Sequence, residues 1–450
     1  MDYSSGDSRN SSPNYISEEH EHEWPLYDPY YFYSNYEQVH EDEHDSPRKR
    51  IKFSYEDRIT KLPDALITHI LSLLPVDDIL RTQLLSKQWR YAWASIPVLT
   101  FSRTGYYVNN TSNNEFITNT LMFHKGQLKS LSLFRIEGYN GFEPLTNLWV
   151  QCAVNKRIET LVLEVCGKSQ IIVSSGSKLR NLVIKYGGKG QDDYGGDTSD
   201  KSLEISGPNI KSLEISGYLG WKDCRLEDVS SLVHVNFRFY ISKGYNEDFD
   251  SYDSRVLKTI KHLLIRDVSH VEKLSLGTWC TQVLSLCELG GEPTIPLQCK
   301  TLEIVSLNER SIRGIARLLR SSYYLERLTI DTEPYRACHQ AEDGFNGKNY
   351  WKSPERTAFM NPWQHHLKVV QFIGLFDQME SEYMVELAEY ILDHANVLEK
   401  LVLKPSESAY GQQRRSRSRS SDFRHSSLFQ VMQKLLGCPR SSLHARVLLV

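Results

Sequence analysis

From residue 128 onward, the chain repeats one short pattern: an apolar residue, two others, then two apolar residues separated by one. In a β-strand, the last part of this pattern sends both apolar side chains to one face and the side chain between them to the other. A unit this short buries its apolar face only when similar units stack beside it. Clear copies begin at Leu128, Ile158, Leu179, Ile210, Leu232, Val271, Leu325, Leu367 and Leu398, and weaker ones lie at Leu203 and Leu302.

This pattern is the signature of leucine-rich repeats, in which each unit adds one strand to a growing sheet. The sequence therefore predicts the α/β fold class, with an irregular leucine-rich-repeat solenoid of parallel strands joined by helical or irregular connectors. Copies lie about 10 to about 40 residues apart, which indicates degenerate repeats with insertions. An ordinary α/β domain with short apolar strands is the alternative interpretation.

The segments between the predicted strands differ in character. Apolar residues at helical spacing predict connector helices around 256–264 and 312–319. Three polar stretches at 189–200, 244–253 and 333–360 are predicted to be surface insertions. The last of these is too long for a plain connection between two elements.

Side chains that alternate with the buried ones form the predicted substrate-binding surface. On adjacent parallel strands they would line up on one concave face, roughly 5 Å apart. They carry both signs of charge and little apolar area, which favours a protein partner over a deep hydrophobic ligand. The insertions at 244–253 and 333–360 are the alternative binding edge. The predicted residues are Glu214, Asn236, Lys273, Glu303, Arg327 and Gln371, together with Thr160 and Asn181.

Residues 57–97 read as three short helices with clear start and stop signals. Pro63 suits a first helical position, and Pro75 ends the helix that follows it. Ser86 can cap a third helix that carries Trp89. About forty residues in three helices cannot bury so many Leu, Ile and Trp side chains alone, so part of their surface requires a partner.

This segment resembles an F-box. The resemblance rests on Leu62-Pro63-Asp64, Ile70-Leu71, Leu74-Pro75, Arg81-Thr82 and Leu85-Ser86-Lys87-Gln88-Trp89-Arg90 followed by Trp93. Gln88 stands where the large plant F-box families more often have arginine. An ordinary amphipathic segment packed on its own domain is the alternative. The resemblance implies docking to the Skp-type adaptor of a cullin–RING ubiquitin ligase.

The residues that the resemblance assigns to this docking are almost all apolar. Some of them must also form the small core of the three helices, and the sequence does not divide them between the two roles. The predicted adaptor-binding residues are Leu62, Pro63, Ile67, Ile70, Leu71, Leu74, Pro75, Leu84 and Trp89.

The C-terminal part of the chain begins with a strand, a helix and a strand over 363–405. This layout resembles the FBD region that often closes plant F-box/leucine-rich-repeat chains, and capping repeats are the alternative. The Arg/Ser run at 414–421 is cationic and low in complexity. A solvated loop is the favoured interpretation of this run, with RNA binding or phosphorylation as the alternative.

The N-terminal 47 residues contain twelve Asp or Glu, one Arg and nine aromatic residues, but almost no aliphatic ones. Such a segment buries too little apolar surface to offset its ordering entropy, so it is predicted to be a disordered tail. Short aromatic motifs that fold on a partner are the alternative. The basic run at 48–52 fits either a nuclear import signal or a solvated linker.

Composition and motifs argue against an enzyme. The chain has no P-loop, dinucleotide fingerprint, GxSxG or HExxH motif, and its eight cysteines include no CxxC pair. His365 and His366 lack further ligands at metal spacing, so neither a metal nor a cofactor is expected. The acidic start and the lack of a long apolar run predict a nuclear and/or cytoplasmic protein without a membrane segment.

The sequence as a whole predicts the substrate-recognition subunit of an SCF-type (Skp–cullin–F-box) ubiquitin ligase. The chain would bind the Skp-type adaptor and through it the cullin, while the repeats would bind an unknown substrate protein; catalytic residues and nucleic acid partners are not expected. The alternatives are a ligase-independent nuclear scaffold on RNA or DNA and a receptor for a small-molecule co-ligand. The predicted domains are a disordered tail with a basic run (1–55), an F-box (56–102), leucine-rich repeats (120–362) and an FBD-like or capping region (363–450).

Overall fold

Strands that carry the repeat pattern form one long parallel sheet in a computed structural model of the chain. The predicted tail at 1–55, the insertions at 189–200 and 244–253, and the Arg/Ser run at 414–421 lie outside the described residues. All described residues belong to one unit, Asp57–Val450. The structure describes residues 58–59, 61–101, 110–137, 143–166, 171–174, 178–186, 202–219, 223–241, 254–305, 309–332, 347, 349–353, 361–374, 380–405 and 429–450.

The helices fall into two groups, a cluster of three near the N-terminus and longer ones between strands. The clustered helices are α1 (Asp64–Ser72), α2 (Val76–Thr82) and α3 (Lys87–Ala92). The others are α4 (Asn110–Phe123), α5 (Glu143–Asn155), α6 (Ser254–His262), α7 (Thr278–Leu289), α8 (Ile312–Ser321), α9 (Glu380–His394) and α10 (429–436).

The described strands alternate with the longer helices over much of the chain. They are β1 (Val98–Phe101), β2 (Ser130–Glu137), β3 (Thr160–Cys166), β4 (Ile171–Ser174), β5 (Asn181–Tyr186), β6 (Ser202–Ser206), β7 (Ser212–Leu219), β8 (Asp223–Glu227), β9 (His234–Ile241), β10 (Lys273–Leu276), β11 (Thr301–Val305), β12 (Arg327–Thr332), β13 (Val369–Gly374), β14 (Lys400–Pro405) and β15 (Arg446–Leu449).

Twelve of these strands form the main sheet in the order of the chain, and every neighbouring pair is parallel. The remaining three, β4, β6 and β8, form a second parallel sheet. The predicted α/β class with a parallel sheet is therefore confirmed. The weak repeat copy at Leu203 lies in the second sheet, whereas the copy at Leu302 lies in the main one.

The repeat pattern places its apolar residues in continuous buried rows across the main sheet. The first inward residue of each strand from β1 to β14 is no more than 1% exposed, because its neighbours on both sides are apolar as well. This row is Leu99, Leu131, Leu161, Leu182, Leu213, Val235, Leu274, Leu302, Leu328, Val370 and Leu401.

The returns between strands of the main sheet are of two kinds. From β3 to β9, each return passes through a short strand of the second sheet, which is β4, β6 or β8. Most other returns contain an α-helix, and the predicted connector helices around 256–264 and 312–319 correspond to α6 and α8. Val173 and Leu203 of the second sheet belong to the same buried cluster as the main rows.

The three N-terminal helices surround a core of their own that continues into the sheet. Ser86 caps α3, since its hydroxyl accepts a hydrogen bond from the Trp89 backbone N–H, as the sequence predicted. Pro63 is the N-cap of α1 and not its first helical residue. Gln88 donates hydrogen bonds from Nε2 to Asp64 Oδ1 (2.6 Å) and to the Leu62 carbonyl (3.1 Å), which holds α3 against the start of α1.

Candidate interaction surfaces

The surface of the three N-terminal helices exposes large apolar side chains. Leu66, Ile70 and Leu73 follow one face of α1 at i, i+4 and i+7, and their exposed fractions range from 38% to 72%. Neighbouring exposed apolar side chains are typical of an interaction site. We call the exposed apolar residues of this region the helix surface: Ile59, Leu66, Ile70, Leu73, Leu84, Leu85 and Tyr91.

The structure divides the nine predicted adaptor-binding residues into three groups. Ile67, Leu71 and Trp89 are at most 4% exposed and pack in the chain's own core, so they support the helices and offer no surface to a partner. The exposed members are Pro63, Ile70 and Leu84. The half-buried members are Leu62, Leu74 and Pro75.

Sequence reasoning left several exposed residues out of the predicted set. Leu66, Leu73, Leu85 and Tyr91 are exposed yet were not assigned to the adaptor. At helical spacing, α1 has two neighbouring apolar stripes. One contains Leu66 and Ile70, and the other contains Ile67 and Leu71. Tertiary packing, including that of α3 on α1, determines which stripe is buried, and this information is not local to α1.

A second surface is formed by side chains that alternate with the buried rows of the main sheet. We call it the open face. Because neighbouring strands are in register, these side chains form rows across the strands. One row contains Glu214, Asn236, Ser275, Glu303, Thr329 and Gln371. The row before it contains Thr160, Asn181, Ser212, His234, Lys273, Thr301 and Arg327.

The predicted substrate-binding residues thus share one face but lie in two rows. Lys273 lies one row before Glu303, and the two side chains meet in an ion pair of 2.7 Å between Nζ and Oε1. Arg238, which sequence reasoning omitted, places its Nη2 atom 3.8 Å from Glu303 Oε2 and donates to the Ser275 hydroxyl at 3.3–3.4 Å. Its position two residues after Asn236 could have revealed it, since alternate residues of a strand share a face.

The centre of the open face therefore neutralises most of its own charge. Glu303 accepts from one lysine and lies beside one arginine, and Glu214 accepts a hydrogen bond from Ser216 (3.4 Å). The buried Oδ1 of Asn236, in the same row, has no hydrogen-bond partner among the residues that the structure describes.

The described residues offer neither a metal-binding cluster nor an activated thiol at Cys280, Cys287 or Cys299. No group of three or more His, Cys, Asp or Glu side chains among them could hold a metal ion. Burial raises the pKa of the Cys280 thiol far above its ordinary range, and it also raises the pKa values of Cys287 and Cys299, so none of the three is an activated thiolate. No described helix has the length and apolar character needed to span a membrane.

Comparison with known proteins identifies two segments of the described chain. A family model of the F-box domain matches residues 59–101, and a family model named FBD matches residues 363–403. The first match covers α1 to α3 and β1, and the second covers the 3₁₀ helix at Pro362–His365, β13, α9 and most of β14. The chain is therefore an F-box protein with an FBD region.

Relatives in Arabidopsis thaliana extend the similarity along most of the chain. An F-box/LRR-repeat protein is 27% identical over 423 residues, which span 79% of this chain and 88% of the relative. An F-box/FBD/LRR-repeat protein is 23% identical over 412 residues, or 78% and 92% of the two chains. Another F-box/FBD/LRR-repeat protein is 36% identical over 110 residues, 24% of each chain. The chain is a plant F-box/LRR protein with an FBD region.

Proposed function

We propose that this chain is the substrate-recognition subunit of an SCF-type ubiquitin ligase. The observation that carries the proposal is the helix surface, an apolar area exposed on the F-box itself. An F-box domain implies binding of a Skp-type adaptor, and burial of exposed leucine and isoleucine side chains supplies the driving force for such docking. Through the adaptor, the chain would join the cullin scaffold.

In this proposal, the adaptor contacts the helix surface together with Pro63 and the half-buried Leu62, Leu74 and Pro75. Ile67, Leu71 and Trp89 act indirectly, because they hold the helices in place. We assign the F-box to residues 56–102 as a three-helix domain. The protein would act in the nucleus and/or the cytoplasm.

The remaining chain would form a leucine-rich-repeat solenoid over 120–362, closed by the FBD region and capping strands over 363–450. The unbroken parallel order of the main sheet and its continuous apolar rows support this assignment. The open face would bind the substrate protein through Glu214, Asn236, Lys273, Glu303, Arg327 and Gln371, and Arg238 joins this set.

The chain contributes proximity and no catalytic group in this proposal. Holding a substrate and an activated ubiquitin carrier in one assembly raises the effective concentration of the reacting lysine. F-box/LRR proteins are generally non-catalytic adaptors of this kind. The chemistry would belong to other subunits.

Adaptor binding tests the proposal directly. The double variant Leu66→Asp, Ile70→Asp places two charges on the helix surface, whereas Leu289→Asp changes a residue of α7 that is similarly exposed (54%, against 49% for Leu66). After co-expression with a plant Skp-type adaptor, we expect a 1:1 complex with the wild type and with Leu289→Asp, and no complex with the double variant. Equal recovery of the adaptor with all three chains would contradict the proposal.

A further inference from the structure

Three cations share one row at the C-terminal end of the open face, with a valine between the first and the second. Arg327 is in register with Val369, Val369 with Lys400, and Lys400 with Arg446, so these four residues form one row across β12 to β15. Arg327, Lys400 and Arg446 are exposed. None of them makes an ion pair with any residue that the structure describes, in contrast to Lys273 and Arg238 at the centre of the face. We call these four residues the cation row.

Apolar side chains lie directly beside the cation row. The next row on the same strands is Thr329, Gln371, Val402 and Leu448, and Ile373 follows Gln371 on β13. Val369, Val402, Ile373 and Leu448 are all partly exposed. The open face of these strands thus has more apolar character than the sequence reading assigned to it.

We infer that the open face of β12–β15 binds an extended peptide in which acidic residues alternate with aliphatic ones. This inference rests on the proposed function and specifies the chemical class of the substrate segment. Three unpaired cations on one row attract carboxylates, and the valine between them, with the adjacent apolar row, accepts an aliphatic side chain.

The spacing of the row fits such a peptide. Parallel strands lie about 4.8 Å apart, so the three intervals from Arg327 to Arg446 span about 14 Å. An extended peptide rises about 3.4 Å per residue and points every second side chain to the same face. Carboxylates at positions i and i+4 therefore reach the two ends of the row, while the side chain at i+2 lies about 7 Å along it, between Val369 and Lys400.

A nucleic acid fits this surface less well. Proteins that bind single strands combine cations with aromatic side chains on which bases stack. The open-face positions of β12 to β15 hold Arg327, Thr329, Asp331, Val369, Gln371, Ile373, Lys400, Val402, Lys404, Arg446 and Leu448, and none of these residues is aromatic.

Fluorescence anisotropy with the full chain bound to its adaptor tests the inference. The probe is a labelled peptide that repeats Glu-Ser-Leu-Ser, with Glu-Ser-Ser-Ser and Lys-Ser-Leu-Ser repeats for comparison. The test variant combines Arg327→Glu, Lys400→Glu and Arg446→Glu. The matched control is Lys185→Glu, which reverses an exposed cation on the open face of β5.

We expect the Glu-Ser-Leu-Ser probe to bind the wild type and the Lys185→Glu control equally. One exposed ion pair changes affinity by about two- to fivefold, so the triple reversal should weaken binding by at least roughly tenfold. The neutral variant Arg327→Gln, Lys400→Gln, Arg446→Gln should show a smaller loss in the same direction. The peptides without leucine or without glutamate should bind more weakly to the wild type.

Several results would overturn the inference. These are unchanged probe affinity in both triple variants, equal binding of the Glu-Ser-Ser-Ser peptide, or tighter binding of labelled polyuridylate that the same reversals abolish. The last outcome would assign the face to nucleic acid. Adaptor co-purification from the same preparations separates the two proposals, because loss of peptide binding with the adaptor retained rejects only this inference.

Discussion

The helix surface and the centre of the open face differ in the chemistry of their exposed side chains. On the F-box, leucine, isoleucine and tyrosine side chains are exposed. On β9 to β11, the exposed side chains are polar and pair with one another through Lys273, Arg238 and Glu303. Apolar burial stabilises association with one constant partner, whereas charged and polar groups determine which of many partners is accepted. The difference suits a chain that binds one adaptor and selects substrates.

The contrast between buried rows and open face can be tested with two neighbouring residues of β7. Leu213→Asp places an unpaired charge between apolar neighbours on both adjacent strands, so we expect the free energy of unfolding to fall by about 4 kcal/mol. Glu214→Lys changes the adjacent open-face residue and should alter it by no more than about 0.5 kcal/mol. Urea denaturation measures both values, and similar losses would mean that the assigned strand faces are wrong.

A second pair of variants separates support from contact within α3. Trp89 is buried and its indole N–H donates to the Ile59 carbonyl (3.4 Å), so Trp89→Ala should destabilise the F-box by about 3 kcal/mol. Tyr91→Ala removes an exposed ring and should leave stability within about 0.5 kcal/mol of the wild type. Hydrogen exchange of α1 to α3 reports the difference.

Adaptor affinity completes the test of α3. Tyr91→Ala should weaken the adaptor complex by about tenfold, since exposed aromatic residues often dominate an interface. A stable Tyr91→Ala protein with unchanged affinity would exclude Tyr91 from the helix surface that docks the adaptor.

A buried histidine beside Ile96, between the three N-terminal helices and β1, predicts that the stability of the fold depends on pH. His124 Nε2 donates to the Ile96 carbonyl at 2.7 Å, and its buried Nδ1 has no hydrogen-bond partner within the described part of the chain. Burial lowers the pKa of His124, and Lys156 lowers it further, although the hydrogen bond to Ile96 opposes this shift. The folded protein therefore holds the neutral ring.

A histidine in an unfolded chain has a pKa of about 6.5. As the pH falls through this value, the unfolded chain therefore binds a proton at His124 before the folded chain does. Stability contributed by His124 is thus present above about pH 6.5 and declines below it, by at most about 1.4 kcal/mol per pH unit. His124→Gln retains a donor for Ile96 and should remove this dependence. Urea midpoints at about pH 7.5 and about pH 5.5 measure it, and equal pH sensitivity of both proteins would exclude His124 as the cause.

Much of the main sheet could be predicted from sequence because alternation and burial coincide in each repeat. Leu213 and Ile215 are buried, and Glu214 between them is not, as the pattern indicated. The strand β15 was missed because Arg446-Val-Leu-Leu lacks the leading leucine of the repeat. The helix α4 was missed because half of its residues are Asn or Thr, and only tertiary packing buries its Phe116 and Leu121.

The interaction surfaces were less predictable than the fold. Which apolar stripe of α1 is buried depends on Trp89, some twenty residues later in the chain. The charge pairs of the open face join strands β9, β10 and β11, so the sequence pattern located Glu303 on the surface but not its partners. Side chains that meet through tertiary contacts leave no signal in local spacing.

The smallest expected effect concerns the charge pairs at the centre of the open face. Lys273 and Glu303 are partly exposed (43% and 26%), so solvent screens their attraction despite the 2.7 Å separation. A double-mutant cycle with Lys273→Ala and Glu303→Ala should give a coupling energy of about 0.5 kcal/mol, falling at high salt. With so weak a coupling, Lys273 or Glu303 can leave its partner and pair with a charge on a bound substrate at little cost in free energy. A coupling energy above about 2 kcal/mol would instead indicate that Lys273 and Glu303 form a fixed structural pair. The centre of the open face would then be a rigid part of the fold, and its charges would not be available to select a substrate.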